Sequence, residues 1–257
     1  MFNPLSLVKN LRARRSRFMQ THYKGDGVGV RGKNLGFLED PKFVAAWNRM
    51  LQGDHGAFRS AKWFNGNVPD IRWRAHLNCW AAQTALALEG DFVECGTATG
   101  VQAATICAYL DFASVPKTFY LFDTFAGIPV VEGMTDAERT YARDKNATMY
   151  FDCFAATTKN FAAWPNVKLV RGVLPGSLAD VPLEKIAWLH IDLNNAVAEM
   201  ETIEALWDRI IPGAPIVLDD YAFRGHEDQY EAWNRFAART AHPIFTLPTG
   251  QGLMLRR

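Results

Sequence analysis

Carboxylates recur in this 257-residue chain at the ends of short apolar runs. Phe92-Val93 leads into Glu94-Cys95-Gly96-Thr97-Ala98-Thr99-Gly100. Glycines at such a point let the backbone turn tightly and approach a ligand from the start of a helix. Glu94, just before the first glycine, would repel a dinucleotide phosphate and attract a cationic amino group. The GxGxxG spacing is absent, which disfavours an NAD enzyme. A turn that binds nothing would use the same glycines. Asp123 closes the run LFD, 23 residues beyond Gly100. An acid in that position typically accepts hydrogen bonds from ribose hydroxyls; a turn or helix-cap aspartate is the alternative. A ribose, a positive amine and no phosphate together describe S-adenosylmethionine. Arg171-Gly172 through Gly176-Ser177 follows the next apolar run, where the adenine is expected. The candidate cofactor residues are Glu94, Gly96, Thr97, Gly100, Asp123, Thr124, Gly172, Ser177 and Asp192.

Two later runs end in His190-Ile191-Asp192 and Asp219-Asp220. Paired strands lie about 4.8 Å apart. If these two are neighbours, three carboxylates crowd one rim, and like charges so placed need compensation. A hard divalent cation, Mg2+ or a similar ion, suits oxygen ligands. Asp192, Asp219 and Asp220 are therefore the candidate metal ligands. Alternatively Asp219 and Asp220 face different ways and one caps the next helix.

The elements that carry these residues follow from periodicity. A basic helix is expected over Leu5–Met19, then a glycine-rich stretch, Gly25 to Gly36, read as a mobile loop. Asp40-Pro41 starts a short helix with Phe43, Val44 and Trp47 on one face. From Pro69 a longer helix carries Ile71, Trp73, Leu77, Trp80, Ala81, Thr84 and Leu88, and Gly90 stops it. From Asp91 strands and helices alternate. Seven strands are expected, starting near 92, 118, 167, 186, 214, 244 and 253, with helices over 100–111, 150–163, 197–210 and 227–239. Continuous apolar strands between helices mean a mostly parallel, doubly wound α/β sheet of Rossmann-like type. The first ninety residues form a helical extension or lid, and 91–257 form the cofactor-binding unit.

Composition sets the outer limits. Hydrophobic residues are 49% and charged residues 21%, with 28 Lys+Arg against 27 Asp+Glu. Apolar content so high excludes disorder, and no apolar stretch is long enough to span a membrane. Near-neutral charge argues against nucleic acid as a partner. Residues 1–20 hold Lys9, Arg12, Arg14, Arg15, Arg17 and no acid. This segment is a solvated helix or a weak membrane-surface contact. Cys79, Cys95, Cys107 and Cys153 lack metal-site spacing and read as reduced core residues of a cytoplasmic protein.

GDFVECGTATG, LFDTFAGIP, WLHID and IVLDDY occur in an order and spacing that resembles the macrocin O-methyltransferase family. The resemblance runs from about Leu35 to Tyr221 and includes GFLEDPKF and RWRAHLNCWAAQTALALEGDF. It implies a class I S-adenosylmethionine-dependent, Mg2+-dependent sugar O-methyltransferase. Asp192, Asp219 and Asp220 would hold the metal, Glu94 and Asp123 the cofactor, and the N-terminal region part of a lid. The acceptor would be a small molecule or glycan; homo-oligomerisation stays open.

One position departs from the family pattern HIDxDLY. This chain reads HIDLNNA, with Asn194 where the family has its second aspartate, the expected general base. An amide cannot take that proton. His226 becomes the first candidate base, ahead of Tyr221, Glu227 and Asp228. His190 reads as a satisfied core residue and Glu199 as part of a solvated helix face. The alternative function is a cofactor-binding partner in a biosynthetic complex with weak or lost catalysis. Trp63 and Phe64 are candidates for stacking on a sugar.

Overall fold

Asp26 and Gly27 both have left-handed backbone, with φ of 52° and 71°. Two such residues make a type I′ turn, whose twist suits a hairpin. The glycine-rich stretch expected as a mobile loop therefore holds two antiparallel strands, β1 (His22–Gly25) and β2 (Val28–Arg31). The computed structural model describes residues 22–56 and 68–257. The expected basic helix at Leu5–Met19 and the pair Trp63 and Phe64 lie outside them. Tyr23 and Val28 bury one hairpin face with Leu35, and the Tyr23 ring packs on Trp73 at 5.7 Å.

Helix α1 (Pro41–Leu51) starts as its sequence dictates. Asp40 accepts from the backbone N–H of Lys42 and Phe43 at 2.8 and 3.1 Å, and Pro41 takes the first turn. Helix α2 (Arg72–Ala85) turns a different face inward from the one expected. Its buried residues are Arg74, Ala75, Leu77, Asn78, Cys79, Ala81, Ala82 and Ala85, while Trp80 is 51% exposed. Small residues on the inner face allow close approach to the sheet, which outweighs burying the larger Trp80.

The sheet then follows: β3 (Asp91–Cys95), α3 (Val101–Leu110), β4 (Phe119–Asp123), α4 (Asp136–Thr148), α5 (Phe154–Phe161), β5 (Val167–Arg171), β6 (Ile186–Ile191), α6 (Ala196–Leu206), β7 (Pro215–Leu218), α7 (Glu227–Thr240), β8 (Phe245–Thr246) and β9 (Gly252–Leu255). Seven strands lie in the order β5-β4-β3-β6-β7-β9-β8. The first five are mutually parallel; β9 runs antiparallel to both β7 and β8. Helix α4 was not expected from hydrophobic spacing. It is polar, and its start is set by a capping box between Thr135 and Glu138.

Successive sheet residues feed opposite cores. Phe92, Phe119, Leu121 and Trp188 pack towards α1, α2 and α3. Val93, Phe122, Leu189 and Ile216 pack towards α6 and α7. Each such fully buried large side chain stabilises the fold by about 1.5–3 kcal/mol. The core with Phe43, Trp47 and Ala81 includes sheet residues, so the N-terminal helices and the sheet share one interior. Strand connections diverge between β3 and β6, so a crevice opens at their carboxyl ends.

Candidate active site

Register brings the expected residues together. Glu94 pairs with His190, and His190 with Val217, so β3, β6 and β7 end side by side. Asp192 N donates to Cys95 O at 2.8 Å and Asp219 N to Ile191 O at 3.0 Å. These bonds align Gly96, Asp192 and Asp219 along one rim. Gly96 has φ of 87°, and a side chain there would strike the Asp192 carbonyl. Only glycine allows the loop and the end of β6 to lie so close.

The crevice is lined by Glu94, Gly96, Thr97, Asp123, Thr124, Gly172, Asp192, Asn194, Asp219, Asp220 and His226 among the sequence candidates. Gly100 and Ser177 are not on its wall. Gly100 sits at the start of α3, facing the Phe161 ring. Ser177 is buried behind Gly172, which a side chain would push into Ser177 Cβ. The structure therefore shows packing contacts for both and does not bring either to the crevice wall.

Asp123 is busier than expected. Oδ2 accepts from Thr97 N and Ala98 N, both at 2.7 Å, and Oδ1 accepts from Phe125 N at 2.6 Å. It fixes the glycine loop as well as facing the crevice. The Thr124 hydroxyl donates to Gly127 O at 2.6 Å, shaping the next turn. Glu94 is almost fully buried, and its Oε1 lies 3.1 Å from His190 Nδ1. Burial raises its pKa, against the His190 contact. Glu94 Oε2, Thr97 Oγ1 and both amide atoms of Gln102 make no normal-length hydrogen bond. Such buried polar atoms seek a partner. Glu94, Thr97 and Gln102 all face the crevice. A cationic amine and a hydroxyl-bearing nucleoside would supply what they lack, so this end fits S-adenosylmethionine.

His190 is not an inert core residue. It bridges Glu94 and Asp219, with Nε2 at 3.3 Å from Asp219 Oδ1. Burial would lower its pKa, but hydrogen bonds and charge from Asp219 and Glu94 lift it to about 10. With both ring nitrogens facing carboxylates, it is not placed to take a proton from an acceptor.

Asp192, Asp219 and Asp220 offer carboxylate oxygens within 4.8 Å of one another. Burial and the charges of Asp219 and Asp220 hold the Asp192 carboxyl well above its ordinary range. Asp219 goes the other way. Its burial is overcome by Arg74 and His190, which keep it ionised. Three convergent carboxylate groups fit a hard divalent cation. Asn194, at φ of 59°, donates from Nδ2 to Asp192 Oδ1 at 2.9 Å, and its Oδ1 accepts from the Tyr141 hydroxyl at 3.1 Å. The amide holds Asp192 and Tyr141 in place.

His226 stands beside this rim, with Nε2 at 3.6 Å from Asp220 Oδ2. Its Nδ1 lies 2.5 Å from Gln229 Oε1, while Gln229 Nε2 donates to Glu199 Oε1 at 2.8 Å. Because that amide donates to Glu199, its oxygen faces His226 and accepts from Nδ1–H. Nε2 is the ring nitrogen nearest the carboxylate rim. Glu199 is thus buried, not on a solvated face; Trp233 Nε1 donates to its Oε2 at 2.7 Å. Burial pushes its pKa up to about 7 despite those hydrogen bonds. Of the other candidate bases, Tyr221 donates to Asn234 at 2.9 Å, Asp228 accepts from Thr135, and Glu227 is exposed.

Sequence reasoning missed Asp26, Arg74, Gln102, Tyr141, Gln229 and Gln251. Arg74 left a signal: a charged residue in line with Asn78, Ala81 and Ala85 on a helix whose other members there are small. A charge on an inward stripe needs partners.

The family model for macrocin O-methyltransferase matches residues 70–247. The chain belongs to the macrocin O-methyltransferase family. It is an S-adenosylmethionine-dependent O-methyltransferase. No curated protein sequence matches it significantly. Among solved structures, the O-methyltransferase NovP is similar at 17% identity, over 87% of this chain and 99% of that one, with a TM-score of 0.66. The calicheamicin methyltransferase CalS11 is similar at 18% identity, over 84% and 93%, with a TM-score of 0.60. An O-methyltransferase from Bacillus cereus in complex with SAH is similar at 13% identity, over 82% and 90%, with a TM-score of 0.52. At these identities the likeness establishes the fold, a mostly parallel seven-stranded methyltransferase sheet. No helix among the described residues is long and apolar enough to cross a membrane.

Proposed function

We propose that the protein methylates a hydroxyl of a sugar or sugar-containing small molecule, with a divalent cation at Asp192, Asp219 and Asp220. The observation that carries this is the meeting of those three carboxylates beside His226, on the rim shared with the Glu94 loop. The calicheamicin and macrocin names of the related proteins point the same way. Bound at these places, S-adenosylmethionine brings an electrophilic methyl group, and the cation makes an acceptor hydroxyl more acidic.

The chain's own residues do the rest. Glu94 binds the cofactor's amine, Gly96 lets the backbone approach it, and Asp123 both shapes the loop and faces the ribose. Leu174 and Val173 line the adenine end beside Gly172. The acceptor lies over the carboxylate rim, and its hydroxyl proton passes to His226 Nε2. The oxygen forms a bond to the methyl carbon as the carbon–sulfur bond breaks, leaving S-adenosylhomocysteine. Gln229 and Glu199 hold the imidazole in place. Positioning two reactants in this way can be worth on the order of 7–11 kcal/mol. The hairpin turn covers part of the crevice through Asp26 and limits water entry. Four free, buried cysteines suit a reducing, cytoplasmic compartment.

Incubation with S-adenosylmethionine, Mg2+ and a panel of glycosides tests the reading. S-adenosylhomocysteine release coupled to a methylated sugar is the expected result. Binding of the cofactor with no transfer to any glycoside would overturn the sugar acceptor.

A further inference from the structure

Arg74 is only 4% exposed, and all three of its guanidinium nitrogens are engaged. Nη1 donates to Asp219 Oδ2 at 2.6 Å, to Asp219 O at 2.8 Å and to Asp220 Oδ1 at 3.2 Å. Nε donates to Asp26 Oδ2 at 2.5 Å, and Nη2 to Thr249 O at 3.1 Å. The guanidinium carbon lies 5.2 Å from the centre of the Phe223 ring. One side chain of α2 thereby joins the hairpin turn to the end of β7 and the loop before β9.

The same contacts occupy the carboxylate cluster. Asp219 Oδ2 and Asp220 Oδ1 face Arg74, while Asp219 Oδ1 already accepts from Gln251 Nε2 at 3.0 Å and lies 3.3 Å from His190 Nε2. A divalent ion at Asp192, Asp219 and Asp220 would share two of its three carboxylates with the guanidinium. A second positive charge within a few ångströms of the first repels it strongly in a buried site. Asp26 offers the guanidinium somewhere to remain. It accepts from Nε and is not one of the three clustered carboxylates.

We propose that Arg74 is the resident counter-cation of the cluster and competes there with a divalent metal, and that Asp26 holds the guanidinium when the metal enters. This rests on the assignment of the cluster to a cation in the proposed function. Arg74 then sets how tightly the metal binds, and the hairpin follows the exchange through Asp26. Removing the guanidinium should tighten metal binding. Weakening its alternative partner should loosen it, because Arg74 would then depend more on the cluster.

Mn2+ serves as the probe, its free fraction read by electron paramagnetic resonance in the full chain saturated with S-adenosylhomocysteine. Arg74→Gln is expected to bind Mn2+ at least about tenfold more tightly than the wild type, since one opposing charge is gone. Asp26→Asn is expected to bind it more weakly than the wild type. Thermal melting adds a second readout: Mn2+ should raise the midpoint of Arg74→Gln more than that of the wild type. If Arg74→Gln fails to fold, Arg74→Met carries the test, because it keeps an unbranched stem for packing and also removes the charge. Tighter Mn2+ binding by the methionine variant then supports the proposal. Unchanged or weaker Mn2+ affinity in the folded Arg74 variant overturns it, and is what a purely structural arginine would give. That result leaves the cluster's role as a metal site standing. Absence of Mn2+ binding in every variant overturns both.

Discussion

Replacing His226 by alanine removes the imidazole nitrogen that stands beside Asp220 on the carboxylate rim. Nδ1–H is committed to Gln229, and Nε2 stands 3.6 Å from Asp220 Oδ2. A general base contributes about 10²- to 10⁴-fold to a rate, or roughly 3–5 kcal/mol. His226→Ala should therefore lower kcat by about that factor. The cofactor end is built from Glu94, Thr97 and Gln102, none of which touches His226, so affinity for S-adenosylhomocysteine should be unchanged. Gln229→Leu should give a smaller loss in kcat, because the imidazole survives but loses the bond that fixes its tautomer. The assay is single-turnover S-adenosylhomocysteine release with any accepted glycoside, together with calorimetry of cofactor binding. A kcat for His226→Ala indistinguishable from the wild type would refute the assignment. It would return the search for a base to Asp228 or to bulk water.

Other consequences are as direct. Glu94→Gln removes the charge offered to the cofactor's amine; a charge-assisted hydrogen bond is worth about 1.5–3 kcal/mol. Calorimetry should show S-adenosylmethionine binding weakened by about ten- to a hundredfold. EDTA should abolish turnover and added Mg2+ should restore it; full activity in EDTA would contradict the metal role. His190 should show imidazolium nitrogen shifts by NMR at pH 7–8, as expected of a pKa near 10. Its folded pKa lies above its ordinary value of 6.5. Its contribution to stability is therefore complete below about pH 6.5 and fades as the pH rises towards 10. Denaturant melts that lose nothing between pH 7 and 10, compared with His190→Gln, would count against this.

The sheet was legible because parallel strands covered on both faces must be apolar throughout, and their acidic ends then stand out. Glu94, Asp123, Asp192, Asp219 and Asp220 were all found this way, and register alone places them on one crevice wall. Long-range partners were not legible. Gly25 to Gly36 read as a loop because its glycines are frequent, yet the adjacent positive-φ pair Asp26 and Gly27 is a hairpin signal. Arg74 was passed over because the large residues Trp73 and Trp80 suggested a different inward face. Its partners lie 48 and 145 residues away in the sequence. Glu199 read as a solvated charge because nothing local shows that Trp233 and Gln229 will close over it. Asn194 departs from the family pattern in the sequence itself, but its tie to Tyr141 depends on α4, which hydrophobic spacing did not disclose.

The central claim is methyl transfer to a sugar hydroxyl at the carboxylate rim. Mass spectrometry of glycosides incubated with S-adenosylmethionine and Mg2+ tests it most directly, with Asp219→Asn as the comparison. The account predicts a product heavier by one methylene unit with an equal yield of S-adenosylhomocysteine. It predicts little or no product from Asp219→Asn, although that variant still binds S-adenosylhomocysteine. Product formed equally by both proteins would contradict it.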